Sequence, residues 1–156
     1  LGYAKMSNII ATNRKAYRDY EVLESLECGI ELKGSEVKSL RAARINLNDS
    51  FARFEEREIF LYNAHISQYA QASYLNVNSD RIRKLLLHKN QIERINGKLT
   101  QKGLTLIPLK IYFNERGFAK IELGLCKGKK LYDKREDIKR RETDKQLRRV
   151  IKNRRG

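Results

Sequence analysis

Alternation of apolar and polar residues marks several short stretches of the chain as β-strands. The clearest is a hairpin in which residues 104–113 and 118–126 flank a polar turn at residues 114–117. In the second strand, apolar residues at every other position share one face, and Lys120 lies on the other. The single proline, Pro108, lies inside the first strand, which predicts that this strand is an edge or is bulged there.

Three further candidate strand segments lie earlier in the chain. Residues 50–54 and 59–66 predict a hairpin around residues 55–58, a turn that contains neither Gly nor Asn. Residues 20–32 mix apolar and acidic side chains and include Gly29, and a glycine in such a stretch often marks a bulge or the close approach of another strand. Residues 9–17 before them are interpreted as a polar lead-in.

Helical spacing is confined to two segments. Gly34-Ser35 offers a start for a helix over residues 36–43. Residues 90–102 form the better helix, because Ile92, Ile95 and Leu99 recur at three and four residues and Gly103 follows as a stop. Residues 67–80 are typical of a loop. Short strands with two or three helices between them predict a small β-barrel such as an oligonucleotide-binding fold.

Charge divides the chain. Residues 127–156 hold 14 Lys or Arg against 5 acids, which is +9 of the formal +15. Ordering such a segment costs about 1–2 kcal/mol per residue, and its few apolar side chains do not form one helical stripe. We therefore expect a tail that is disordered when free and helical when bound to a polyanion, with a solvated charge run as the alternative.

The resulting organisation is a lead-in at residues 1–12, a β-barrel body at 13–126 and the basic tail at 127–156. Residues 1–5 precede the only methionine, Met6, and are either foreign to the native chain or an unusual start.

A pI near 10.0 favours nucleic acid or an anionic membrane surface as partner. No apolar run approaches the roughly 18 residues of a membrane span, and no signal peptide is recognisable. Cys28 and Cys126 lack a CxxC spacing and are expected to be reduced, half-buried thiols of a cytoplasmic protein.

Catalytic and metal-binding patterns are not found in the sequence. His65 and His88 have no Cys or acid at a recognisable catalytic or metal spacing, and the glycines form no phosphate loop. We therefore expect no enzyme activity, no metal and no cofactor. His65 is interpreted as a strand-end or partly buried residue.

A second group of cations surrounds Leu85-Leu86-Leu87, and its members are Arg81, Arg83, Lys84, His88 and Lys89. One interpretation is a buried strand with charged ends, and the other is a nucleic-acid surface in which cations meet phosphates and an exposed leucine packs on a sugar or base.

Glu27 is either plain surface or an acceptor for a guanine edge or a cytosine amine. Four tyrosines are candidates for base stacking or for the core, and Tyr132 is favoured for stacking because it lies in the tail; the others are Tyr69, Tyr74 and Tyr112.

Four motifs occur in a family-typical order: Asn13-Arg14-Lys15-Ala16, the run from Gly34 to Arg41, the run from Arg83 to His88, and the run from Lys127 to Arg135. Together they resemble the bacterial SsrA-binding protein (small protein B, SmpB) family, which partners transfer-messenger RNA (tmRNA) in trans-translation, over residues 9–153. The departures are modest. Ser79-Asp80 stands where an Asp-Pro is frequent, the first hairpin turn lacks its usual Gly, and Cys126 replaces a small residue.

The resemblance implies a six-stranded antiparallel barrel of oligonucleotide-binding type with about three helices and no catalytic activity. It implies a monomeric RNA-binding adaptor that binds the D-loop elbow of the tRNA-like domain of tmRNA and meets the EF-Tu-GTP-alanyl-tmRNA complex. The tail would enter the vacant mRNA channel and decoding centre of a stalled ribosome, contact small-subunit rRNA of the 30S and 70S particles, and license accommodation without a codon.

Site residues follow from the same resemblance. The implied tmRNA contacts are Asn13, Glu27, Lys84, Leu86, His88, Lys120 and Lys127. The implied ribosome contacts are Lys129, Lys130, Tyr132, Asp133, Lys134, Arg135, Lys145, Arg148, Arg149, Val150, Ile151 and Lys152. Two rival classes are a structural ribosomal protein with a basic extension and an RNA-processing enzyme on a barrel fold.

Overall fold

The computed structural model describes residues 8–68, 78–100 and 103–129. Within these ranges the chain forms nine β-strands and three α-helices. The strands are β1 (Ile9–Thr12), β2 (Tyr20–Ile30), β3 (Ile45–Asn46), β4 (Phe51–Glu55), β5 (Glu58–Tyr62), β6 (His65–Ile66), β7 (Arg83–Leu86), β8 (Leu104–Phe113) and β9 (Ala119–Gly128). The helices are α1 (Arg14–Asp19), α2 (Gly34–Arg41) and α3 (Lys89–Leu99).

Six of the strands close into a barrel. The order is β8-β4-β5-β7-β2-β9, β9 pairs back with β8, and every pairing is antiparallel. Closure leaves few unpaired strand edges, which is how small barrels avoid edge-to-edge association. β1 adds to β8 beyond its contact with β4, and β3 pairs separately with β6. The predicted six-stranded antiparallel barrel with three helices is confirmed.

The barrel interior is filled by alternate residues of its strands. On β9, Ile121, Leu123 and Leu125 are at most 3% exposed, which confirms the predicted inward face. Ile92 and Ile95 of α3 belong to the same core cluster. A second, smaller cluster lies on the other face of β8 and β9, where α1 packs; it consists of Ala16, Ile107, Leu109 and Cys126. Cys28 and Cys126 are unpaired and fully buried rather than half-buried, because both faces of this part of the sheet are covered.

Residues 9–17 are not a plain lead-in, and that interpretation is wrong. They form β1 and the start of α1, joined at Asn13. The Asn13 carboxamide oxygen accepts a hydrogen bond from the Ala16 amide at 3.1 Å and so caps α1. Its Nδ2 donates to the carbonyls of Leu47 (3.2 Å) and Pro108 (2.9 Å). The second of these carbonyls is at the predicted bulge, which is confirmed by a register shift between Pro108 and Lys110.

Several element ends differ from the sequence prediction. The first hairpin turns at Glu56 and Arg57, both with positive φ, which is the two-residue turn that best matches strand twist. Its second strand ends at Tyr62 rather than at residue 66, because the chain turns at Asn63 (φ 61°) and residues 65–66 pair with β3 instead. α3 ends at Leu99 with Thr100 as its C-cap, and β9 continues to Gly128. Of the expected loop, residues 69–77 lie outside the described ranges, as do Tyr69 and Tyr74.

A buried ion pair joins α2 to β7. Glu36 and Arg83 are 3% and 0% exposed. Oε2 of Glu36 accepts from Nε of Arg83 (2.6 Å) and lies 2.5 Å from its Nη2, and Oε1 accepts from Arg81 Nη2 (2.5 Å) and the Lys33 amide (2.8 Å). The remaining guanidinium donors of Arg83 reach main-chain carbonyls of Ala64, Ser79 and Arg81. Arg83 is therefore a structural cation and not part of a basic surface.

This pair predicts a pH-dependent stability. Burial raises the pKa of Glu36, but the hydrogen bonds from Arg81 and the Lys33 amide and the charge of Arg83 outweigh it, so the pKa lies below its usual 4.5. A carboxyl whose pKa is lower in the folded state stabilises the fold above about pH 4.5, and this contribution is lost as the pH falls through the folded-state pKa. We expect Glu36→Gln to lower the free energy of unfolding by about 3–5 kcal/mol at pH 7, because Arg83 is left buried without its counter-charge. The difference from the wild type should shrink below pH 4.5.

Urea unfolding at pH 7, 5, 4 and 3 measures both effects. Glu93→Gln, a change at an exposed acid of α3, is the control and should alter stability at pH 7 by less than about 0.5 kcal/mol. A constant difference between Glu36→Gln and wild type across the whole pH series would contradict the assignment.

Candidate nucleic-acid interface

An open groove of about 440 Å³ lies on the outside of the barrel, where β2, β7, β9 and the start of α3 meet. Its lining includes five of the seven side chains that the resemblance assigns to tmRNA: Glu27, Lys84, Leu86, His88 and Lys120. These residues are up to 93 positions apart in sequence, from Glu27 to Lys120, and only the barrel pairing brings them to one surface.

The floor of the groove is a glycine. Directly paired residues run across four strands in the order Leu86, Gly29, Lys120 and Tyr112, so their side chains point to the same face. Gly29 has no side chain, and this leaves the space between Leu86 and Lys120 open. A Cβ at Gly29 would lie 3.2 Å from the Leu86 Cβ. The close approach predicted at Gly29 is therefore confirmed, and the neighbour is Leu86.

The three leucines of the basic cluster have different environments. Leu85 is fully buried in the barrel core, Leu86 is 48% exposed, and Leu87 lines the groove half-buried. The buried-strand interpretation thus holds for Leu85 and the exposed-edge interpretation for Leu86, as the period of two in a strand requires. Lys84, 3.7 Å from Glu58, shares the outer face with Leu86.

His88 ends this segment at the first turn of α3. Its backbone amide donates to Oε1 of Gln91 at 3.0 Å, and its carbonyl accepts from the Ile92 amide at 3.0 Å. These bonds fix the direction in which the chain leaves β7 and keep His88 at the groove. Gln91 also lines the groove. The sequence did not identify it as a site residue, because its only signal there is a weak one for the start of a helix.

Glu27 is one of two acidic side chains that line the groove; the other, Glu58, lies 3.7 Å from Lys84. Oε2 of Glu27 accepts a hydrogen bond from the hydroxyl of Tyr112, a side chain that is only 8% exposed. Burial, together with this hydrogen bond, raises the pKa of Tyr112, so the phenol remains a donor at neutral pH. Tyr112 is therefore a buried partner of Glu27 and not a stacking surface.

Asn13 and Lys127 lie away from the groove. Asn13 is 2% exposed and its amide is bonded within the protein, so the structure gives it a positioning role; direct contact with RNA stays a prediction. Lys127 is exposed on β9, seven residues and roughly 23 Å along the strand from Lys120. At the same end of the barrel, the Lys129 amide donates to the Asp19 carbonyl at 3.0 Å. Lys127 and Lys129 thus stand where the basic tail begins.

The other predicted ribosome contacts lie in the part of the chain that the structure does not describe, residues 130–156, and their roles stay predictions. They are Lys130, Tyr132, Asp133, Lys134, Arg135, Lys145, Arg148, Arg149, Val150, Ile151 and Lys152.

The chemistry of the groove is that of binding. It offers two ammonium groups, an imidazole, two carboxylates and an exposed leucine, which together suit a polyanion that also carries polar edges. Burial raises the pKa of Cys28 to about 12 and that of Cys126 to about 11, so neither thiol is activated. Within the described ranges, no group of three or more His, Cys, Asp or Glu is arranged to hold a metal ion. Nor does any helix in them have the length and apolar character to cross a membrane.

Comparisons with known proteins agree with the motifs. The SsrA-binding protein of Carboxydothermus hydrogenoformans is 55% identical over 147 residues, covering 94% of this chain and 98% of the relative. That of Caldicellulosiruptor bescii is 58% identical over 144 residues, covering 92% and 90%. That of Thermus thermophilus is 57% identical over 131 residues, covering 84% and 91%.

The fold comparison points the same way. A chain of the solved structure described as "tmRNA-SmpB: a journey to the center of the bacterial ribosome" superimposes with a TM-score of 0.67 at 57% identity, covering 80% of this chain and 86% of that one. The sequence model of the family described as SmpB protein matches residues 10–153. By fold, by motif and by identity over most of its length, this chain belongs to the SmpB (SsrA-binding protein) family.

Proposed function

We propose that this protein is an RNA-binding adaptor that binds tmRNA and delivers it to stalled ribosomes. The observation that carries the proposal is the groove, which unites Glu27, Lys84, Leu86, His88 and Lys120 from three strands and the start of a helix. In the related solved structure, SmpB is described together with tmRNA and the bacterial ribosome.

In this function the groove side chains have separate tasks. Lys84 and Lys120 lie on opposite sides of Gly29 and meet phosphates, which supplies affinity for any RNA. Leu86 offers an exposed apolar edge to a sugar or base. Glu27 accepts a hydrogen bond from a base edge and supplies specificity, because a phosphate cannot donate to it. The ligand is the tRNA-like domain of tmRNA at its D-loop elbow.

The tail has the second task. Residues 127–156 enter the vacant mRNA channel, fold there as a helix against rRNA phosphates, and allow the EF-Tu-GTP-alanyl-tmRNA complex to be accepted without a codon. Lys127 and Lys129 begin this segment roughly 23 Å along β9 from the groove. This separation lets the body hold tmRNA while the tail reaches the ribosome.

The test is binding of the full chain to the tRNA-like domain of tmRNA and to an ordinary tRNA between 50 and 200 mM salt. If the protein neutralises about 6–10 phosphates, raising the salt over this range should lower its affinity for either RNA by roughly 10³–10⁵. We expect the preference for the tmRNA fragment to survive at 200 mM. Glu27→Ala should reduce that preference without changing the salt slope, since it removes an acceptor and no cation.

Glu21→Ala is the matched control, an exposed glutamate of the same strand at the other end of the barrel, opposite Lys127. It should keep the wild-type preference. Equal loss of both RNAs in Glu27→Ala, or no preference in the wild type at 200 mM, would contradict the specific groove.

Gly29→Ala tests the floor of the groove. The new methyl group lies 3.2 Å from the Leu86 Cβ and displaces Leu86 by a few tenths of an ångström. We expect the barrel to stay folded and the affinity for the tmRNA fragment to fall by about tenfold, equivalent to about 1.4 kcal/mol. Gly97→Ala on α3, where nothing lies within 4 Å, is the control and should stabilise the fold by about 0.5–1 kcal/mol without changing RNA affinity. Wild-type affinity in Gly29→Ala would show that the RNA does not reach the floor.

Truncation after Leu131 separates the two tasks. Because the groove residues all lie in the body, residues 13–126, we expect the truncated protein to retain its preference for the tmRNA fragment and to lose peptide tagging on stalled ribosomes. Binding and tagging are measured on the same preparation. Loss of tmRNA binding on truncation would contradict the division between body and tail.

A further inference from the structure

Tyr112 lies on the same face of the sheet as the groove and contacts one of its acidic side chains, Glu27. It lies on β8, its main chain is paired with Lys120 of β9, and Lys120 is paired in turn with Gly29 of β2. Its hydroxyl passes across β9 and donates to Oε2 of Glu27, which lies one strand further and two residues along. The tyrosine ring is 8% exposed, so its position is set by packing, whereas Glu27 is exposed.

The electrostatic setting makes this hydrogen bond important for Glu27. The residue directly opposite Glu27 on β9 is Glu122, a like charge. Lys110 lies 3.9 Å from Glu122 and offsets that carboxylate. Tyr112 supplies a donor to Glu27 itself. Burial and the hydrogen bond raise the phenol pKa, so this donor persists through the physiological pH range.

We propose that Tyr112 is the positioning residue that sets the direction of the Glu27 carboxylate for RNA recognition. The proposal rests on the function proposed above for the groove. A glutamate side chain has three rotatable bonds, and an exposed one must be ordered when it binds. The bond from a buried hydroxyl to Oε2 orders the carboxylate in advance and fixes the direction of Oε1. A base edge then meets a prearranged acceptor, which is the arrangement that a selective site needs.

The experiment compares Tyr112→Phe with the wild type, because this change keeps the ring and removes only the hydroxyl. We expect the affinity for the tRNA-like domain of tmRNA to fall by about threefold to tenfold, as for one net hydrogen bond. The salt slope should be unchanged, and the preference over ordinary tRNA should fall. In the background of Glu27→Ala, Tyr112→Phe should cause no further loss, since the group that it positions is gone.

Tyr62→Phe is the matched control. The Tyr62 hydroxyl also donates to a glutamate, Glu55, at 2.7 Å, but this pair lies on the β4–β5 hairpin and neither residue lines the groove. It should leave RNA affinity and preference unchanged, which separates loss of the groove hydroxyl from loss of a tyrosine–glutamate bond in general.

The outcomes separate the inference from the function on which it rests. Wild-type affinity in a folded Tyr112→Phe, or losses that add in the double variant, overturn the positioning role. A wild-type protein that does not prefer the tmRNA fragment overturns the proposed function instead. In that case urea unfolding of Tyr112→Phe, Glu27→Gln and the double variant tests the pair without RNA. Additive changes in the urea midpoint would overturn the inference.

Discussion

The geometry of the groove depends on the buried ion pair between Glu36 and Arg83. All three guanidinium nitrogens of Arg83 are bonded, to the carboxylate of α2, to the carbonyl of Ala64 and to two carbonyls, of Ser79 and Arg81, in the segment just before β7. Such a pair contributes little net stability compared with apolar packing, but losing one partner leaves a charge buried and is strongly destabilising. Its effect is therefore to permit one position of β7 relative to α2. The groove lies on the opposite face of that strand, so its shape is fixed by an interaction that no ligand touches.

Because side chains alternate between the two faces of β7, fixing the inward residues of this strand also fixes the residues that face the groove. Arg83 and Leu85 point inward, while Lys84 and Leu86 point to the groove. A slip of one residue would place a lysine in the core and bury the groove leucine, so the core fixes the register of the site. Residues that face the core therefore alternate with residues that face the groove. This alternation makes one short run recognisable in the sequence: Arg83-Lys84-Leu85-Leu86-Leu87-His88.

Local signals in the sequence were sufficient for β8, for the bulge at Pro108 and for the existence of α3, since each depends on spacing within about a dozen residues. They failed for β1 and α1, which are too short to show a period and are held by Asn13 through carbonyls 34 and 95 residues away. The motif resemblance supplied five groove residues that physical reasoning had left open, Glu27 among them. The resemblance did not predict the hydrogen bond between Tyr112 and Glu27, which are 85 residues apart, and it did not predict the burial of Arg83. Both arise from strand pairing across the barrel.

In the proposed function, the acidic side chains of the groove oppose part of the attraction that its two lysines provide. Glu27 lowers the affinity of the body for every polyanion, whereas a ligand with a hydrogen-bond donor at the right place recovers the loss. On the same proposal, the tail needs no such discrimination, since its +9 charge acts on rRNA that the docked complex has already brought near it. In the proposed function, selectivity therefore belongs to the less basic body and strength of attraction to the tail. On this proposal, the carboxylate that the buried Tyr112 holds in place makes the body selective.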